Sequence, residues 1–153
     1  VSIREAQVYG VSVREYNSSF QTGYGVHIAS ADRTSYILFA DTNANNKYDA
    51  DSDSVIKQYT LNKQHSILKF CGVKSTGDQE CSDGSTLVAI TKLDVVFFRP
   101  DPDANISSDK TTDNSGMYSR AVITVASATG ESRSLSVAST GQIAVSPASA
   151  AAP

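Results

Sequence analysis

From residue 24 onward the apolar side chains fall mostly on alternate positions, the spacing of a pleated strand with one buried face. The runs are YGVHIA (24–29), SYILFA (35–40), SVIKQYTL (54–61), HSILKF (65–70), STLVAITKLDVVFFRP (85–100), MYSRAVITVAS (117–127), SRSLSVAS (132–139) and GQIAV (141–145). Polar stretches separate them, and the last two, ATGE and STG, are short glycine-bearing turns that predict antiparallel hairpins. Seven Tyr, five Phe, a single Met and no Trp fit the same picture, because branched and aromatic side chains suit a half-buried pleated surface.

Only the start of the chain has helical spacing. In VSIREAQVYGVSVREY, Ile3, Ala6, Gly10 and Val13 fall on one stripe, and Tyr9, Val13, Tyr16 and Phe20 on an adjoining one. This predicts a helix over about 2–17, with Ser2 and Glu5 at capping-box spacing. A helix followed by seven or eight strands is an α+β layout, an N-terminal amphipathic helix packed on antiparallel sheet. At 153 residues the chain fits one domain, over 1–145, and the tail SPASAAAP (146–153) has no apolar period and reads as disordered.

Charged residues make up 19% of the chain and the net charge is -3, so there is no broad basic field for nucleic acid and no acidic tail. No window reaches the roughly 18 apolar residues of a membrane helix. Cys71 and Cys81 flank the polar stretch GVKSTGDQE. Two cysteines cannot fill a structural zinc site, and neither is near a histidine in sequence. A disulfide closing a small exposed loop is the leading reading, which implies an oxidising compartment; two free thiols are the alternative.

The stretch FADTNANNKYDADSDSVI (39–56) concentrates oxygen ligands: Asp41, Asn43, Asn45, Asp49, Asp51 and Asp53, with one cation, Lys47. Asp41, Asn43, Asn45 and Asp49 match the first, third, fifth and ninth ligand positions of an EF-hand loop. Asn46 stands where glycine makes the sharp turn, Ser52 stands where a bidentate acid belongs, and the flanks read as strands. Two uses stay open: a calcium site formed by Asp41, Asn43, Asn45, Asp49 and Asp53, or a hairpin connection whose Asn and Asp side chains bond their own amides.

Nothing marks a catalytic set. His27 and His65 fall within strand patterns with no nucleophile motif, phosphate-binding glycine loop or metalloprotease helix nearby. An acid pair for glycoside hydrolysis is conceivable if Asp94 meets a loop acid in space. Lys57, Lys63, Lys69 and Lys74, with Tyr59 and Phe70 between them, form at most a basic stripe on an acidic protein.

Three segments, REAQVYGVSVREYNSSFQTGYGVHI, YILFADTNANNKYDADSDSVIKQYTL and SRSLSVASTGQIAV, resemble in that order the soluble part of type IV pilin-like proteins, in particular minor pilins and pseudopilins of the GspH/FimT group. Phe39, Asp41, Asn43, Asn45, Asp49 and Asp53 match the middle segment of that pattern, and Leu135, Val137, Gly141, Gln142 and Ile143 its closing strand, turn and strand. The resemblance implies a pilin-like fold in which the helix at 2–17 continues a longer one. The missing part would anchor the subunit in the membrane and later pack against other pilin or pseudopilin subunits in a filament. It implies a structural subunit and not an enzyme, extracytoplasmic, with calcium optional and no small-molecule substrate. The loops at 41–53, 71–81 and 101–116 would meet partners. Relatives that take up DNA use arginines near the last strand; here Gln142 stands there and no arginine follows Arg133, which speaks against DNA. Outside the resemblance, the alternatives are a secreted calcium-dependent adhesion module and an extracellular hydrolase.

Overall fold

A computed structural model describes residues 2–11, 22–98, 100–112 and 118–147. In chain order they form α1 (Ser2–Val11), β1 (Gly23–Ala29), β2 (Ser35–Asp41), β3 (Ser54–Thr60), β4 (His65–Val73), β5 (Gln79–Cys81), β6 (Lys92–Phe97), β7 (Ala104–Ser108), β8 (Arg120–Ser127), β9 (Ser132–Ala138) and β10 (Ile143–Pro147). The strands make two antiparallel sheets, ordered β3-β2-β1-β6-β7 and β10-β9-β8-β4-β5. This corrects the expected pilin-like α+β fold: the chain is a β-sandwich with one ten-residue helix among the described residues. The physical reason is that period-two apolar faces dominate the sequence, and two such faces cover each other without needing a helical layer. Residues 12–17 of the expected helix lie outside the described residues, as does the Ser2 side chain of the expected capping box.

The core is the space between the sheets. Val26 and Ile28 of β1, Leu38 of β2, Leu93, Val95 and Phe97 of β6 and Ile106 of β7 face Ile67 and Phe70 of β4, Ala121 and Ile123 of β8 and Val137 of β9. The sheets meet where β4 touches β6 and β7. On the other flank α1 lies against β1 and β6, burying Ile3 and Ala6. Gly10 makes that approach possible, since a Cβ there would stand 2.6 Å from the Phe97 carbonyl oxygen. The helix is tied to both sheets. Gln7 Nε2 donates to the Gly141 carbonyl at 2.8 Å, in the β9–β10 turn, and the Glu5 carboxylate accepts the hydroxyls of Tyr9 and of Tyr59 on β3. The bond to Glu5 pushes the Tyr59 phenol up to about 12.

Two strands had no alternating signal. β5 sits within the stretch expected to be an exposed cysteine loop, and β7 within the long connection expected at 101–116. Both are held by pairing and by polar side chains. Cys71 and Cys81 face each other on β4 and β5, bonded at 2.02 Å and buried, so the expected disulfide is present but inside a strand pair. On β7, the Ser107 and Ser108 hydroxyls are buried in hydrogen bonds, which lets a serine-rich segment lie inside.

A buried polar chain joins β5 and β7, the matching edges of the two sheets. The Tyr118 hydroxyl donates to Glu80 and lies 2.9 Å from Ser108 Oγ, and Lys74 Nζ meets Glu80 Oε1 at 2.7 Å. Burial pushes the Glu80 carboxyl up, but the bonds from Lys74 and Tyr118 together outweigh it and leave it below the usual range. Because the folded pKa is the lower one, this stabilisation is present above the usual glutamate value and is lost as pH falls through the folded value. Glu80→Gln should cost about 1.5–3 kcal/mol near neutrality, and the gap to wild type should shrink on acidification. Urea unfolding at a series of pH values checks this; a gap that stays constant would contradict it.

Candidate functional site

The 42–53 connection is not a solvated tip. It leaves β2 at Asp41, crosses the outer face of its sheet and reaches the far edge. Tyr48 packs on His27 of β1 with ring centroids 4.8 Å apart and on Phe39 at 5.2 Å. The Asn46 carbonyl accepts from Ser107 Oγ at 2.8 Å, and Lys47 Nζ donates to the Thr111 carbonyl. Gly25, facing the same side, leaves space for the Phe39 ring and Val96, each under 3.0 Å from where its Cβ would be. The loop therefore covers a second, smaller packed layer containing Phe39, Val96, His27 and Asp94, all buried.

The predicted ligand residues are brought together, mostly through the loop's own bonds. Asp41 is 1% exposed and accepts from the backbone N–H groups of Asn45 and Asn46, at 3.3 and 2.9 Å. Its burial raises its pKa, against those bonds, with the nearby Asp53 charge adding to the rise. Asp53 accepts from the backbone N–H of Thr42 at 2.9 Å and of Asp49 at 2.8 Å. Asp49 Oδ2 accepts the side-chain amides of Asn43 and Asn45, which lower its pKa. The side-chain oxygens of Asn43 and Asn45 accept backbone N–H groups of Asn45 and Lys47. Asn46, at the place where an EF-hand has glycine, has φ 64°, a left-handed conformation that asparagine tolerates.

As folded, this donor set is engaged with its own backbone and does not converge as a ready-made calcium cage. Among the described residues no group of three or more His, Cys, Asp or Glu side chains is placed to hold a metal ion. A cation would have to take the place of the Asn43 and Asn45 amides beside Asp49. Asp51 is exposed at the loop's outer end.

Sequence reasoning missed what lies beneath the loop. His27 Nδ1 is 2.7 Å from Asp94 Oδ1, both side chains being nearly inaccessible, and Asp94 also accepts the Tyr48 backbone N–H. Asp94 thus meets a histidine and not a loop acid. Its carboxyl is raised by burial, against the pull of the His27 bond and charge. The one available signal was positional: both residues interrupt apolar strand runs, and the strand register sets them opposite each other. His65 is exposed, beside Asn62.

The lysines do not form one stripe. Lys57 lies over the Tyr59 ring on β3, 4.6 Å from its centroid, whereas Lys69 pairs with Asp83 at 3.6 Å and Lys74 with Glu80, in the other sheet. Phe70, expected to interleave with them, is core. Among the described residues no helix is long and apolar enough to cross a membrane. Compared with protein-family models, curated proteins and solved structures, the chain matches none.

Proposed function

We propose that this chain is a structural subunit of an extracytoplasmic filament, of the type IV pilus or type II secretion kind, that acts by assembly and surface display and not by turnover. The kind of machine is taken from the resemblance of the three quoted segments and draws nothing from the fold. The carrying observation is the clamping of α1 to both sheets, through Gln7 to the β9–β10 turn and through Glu5 to Tyr59 of β3. A helix so held passes a load to the whole sandwich, as a subunit linked through its N-terminal segment requires. The buried Cys71–Cys81 bond suits an oxidising compartment outside the cytoplasm.

The decisive experiment uses cells that produce the full-length, tagged protein. Shearing should release it with the filament fraction, and deleting its gene should reduce filaments or secretion. Recovery only as free protein, with no loss on deletion, would overturn the proposal.

The calcium-dependent binding module is the second reading, because the side chains of Asn43, Asn45 and Asp49 lie within hydrogen-bonding distance of one another, which keeps three oxygen-bearing groups at one place in the loop. Calorimetry with calcium after chelation separates the two. Heat and a raised melting temperature follow if a cation takes those positions, and neither follows if the loop is only a hydrogen-bonded cover.

A further inference from the structure

Two cavities of opposite character meet on the inner face of β8 and β9. The first, of about 150 Å³, is apolar and lies between the sheets beside the start of α1. Ile3, Ile28 and Ile123 wall it, and the partly buried Tyr36, Val125 and Leu135 bring it to the surface. Close-packed interiors leave few voids larger than a water molecule, and an apolar one of this size holds a benzene-sized group.

The second cavity, of about 200 Å³, is polar. His65, Ser127, Glu131 and Arg133 line it, and Val125 is the wall common to both. Strand register explains the join. Ile123 pairs with Leu135 and Val125 with Arg133, and the Ser127 N–H donates to the Glu131 carbonyl at 2.8 Å. Side chains two residues apart share a face, so these three rungs run along one face from the core to the rim. Glu131 and Arg133 are exposed, and among the described residues no ion pair engages either.

We infer that the joined cavities bind a free aromatic α-amino acid, its ring in the apolar cavity, its carboxylate on Arg133 and its ammonium on Glu131. Three features choose this chemistry. The apolar cavity is the size of one ring. Only the Val125 side chain separates it from the polar cavity, which suits a ring one methylene away from the charged carbon. The polar cavity offers both signs of charge from one strand. A simple carboxylic acid would face Glu131 and a simple amine would face Arg133, whereas a zwitterion satisfies both. The ligand is held and not converted, and the inference does not rest on the filament reading.

Titration calorimetry with L-phenylalanine, phenylpropanoate, phenethylamine and benzene tests it, together with NMR of the Ile123 and Leu135 methyl groups. L-Phenylalanine should bind with a Kd below about 1 mM and shift both methyl signals. Each analogue that lacks one charge should bind weaker by roughly tenfold or more. Arg133→Ala should abolish the advantage of phenylalanine over phenethylamine, and Glu131→Gln its advantage over phenylpropanoate. Both positions are exposed, so melting temperatures equal to wild type show that the fold is intact. Leu135→Phe, which fills the apolar cavity, should abolish binding; should it not fold, the two rim variants still decide. The inference is overturned if L-phenylalanine gives neither heat nor a methyl shift, if benzene or either analogue binds as tightly, or if the rim variants bind like wild type. None of these results bears on the shearing experiment, which judges the filament reading separately.

Discussion

Asp94→Ala is expected to cost about 3–5 kcal/mol, the range for removing one member of a buried hydrogen-bonded pair. The change strands two buried donors, the His27 ring and the Tyr48 backbone N–H, each at about 1–3 kcal/mol. The loss should be local first, because the covering loop is held over the sheet by Tyr48, so the Tyr48 amide should exchange with solvent faster than amides of β4 or β8. Denaturant unfolding gives the total and hydrogen exchange the location. A cost below about 1 kcal/mol would show that the pair does not hold the loop. Asp94→Asn, which keeps an acceptor, separates charge from hydrogen bonding. The wild-type carboxyl is raised in the folded state, so its contribution is present below the usual aspartate value and is lost as pH rises through the folded one. The asparagine variant, which does not ionise, should therefore gain on wild type over that window.

Opening the disulfide has the second large effect. Cys71 and Cys81 are ten residues apart, and closing a loop of that size contributes roughly 2.5–3 kcal/mol on the chain-entropy model. Cys71→Ala with Cys81→Ala should lower the melting temperature by roughly 5–10 °C. Reduction of wild type should give a similar fall once the buried sulfurs are reached. A fall of less than about 2 °C would mean that β5 is held without the bond, by its pairing with β4 and the Glu80 network.

The strands with strict alternation could be read from sequence: β1, β2, β4, β8 and β9 fall close to the expected runs. β6 was legible only as the middle of a longer run. β7 was not legible, since Ala104, Asn105, Ser107 and Ser108 lack the bulk that signals burial; Ser107 and Ser108 are kept inside by the Asn46 carbonyl and the Tyr118 hydroxyl. The same limit applies to the site. The composition of the 41–53 loop announced many oxygen donors, but their use depends on which amides lie within reach, and that follows from the path over β1, β6 and β7. His27 and Asp94 are 67 residues apart in the chain, and only sheet register brings them together.

The bond between Cys71 and Cys81 encloses a tight turn, with Lys74 N–H donating to the Asp78 carbonyl and Gly77 N–H to that of Lys74. A protease that nicks this exposed turn would leave both pieces joined through sulfur. On a gel the nick would show only after reduction, and the nicked molecule would persist as two chains held by one bond.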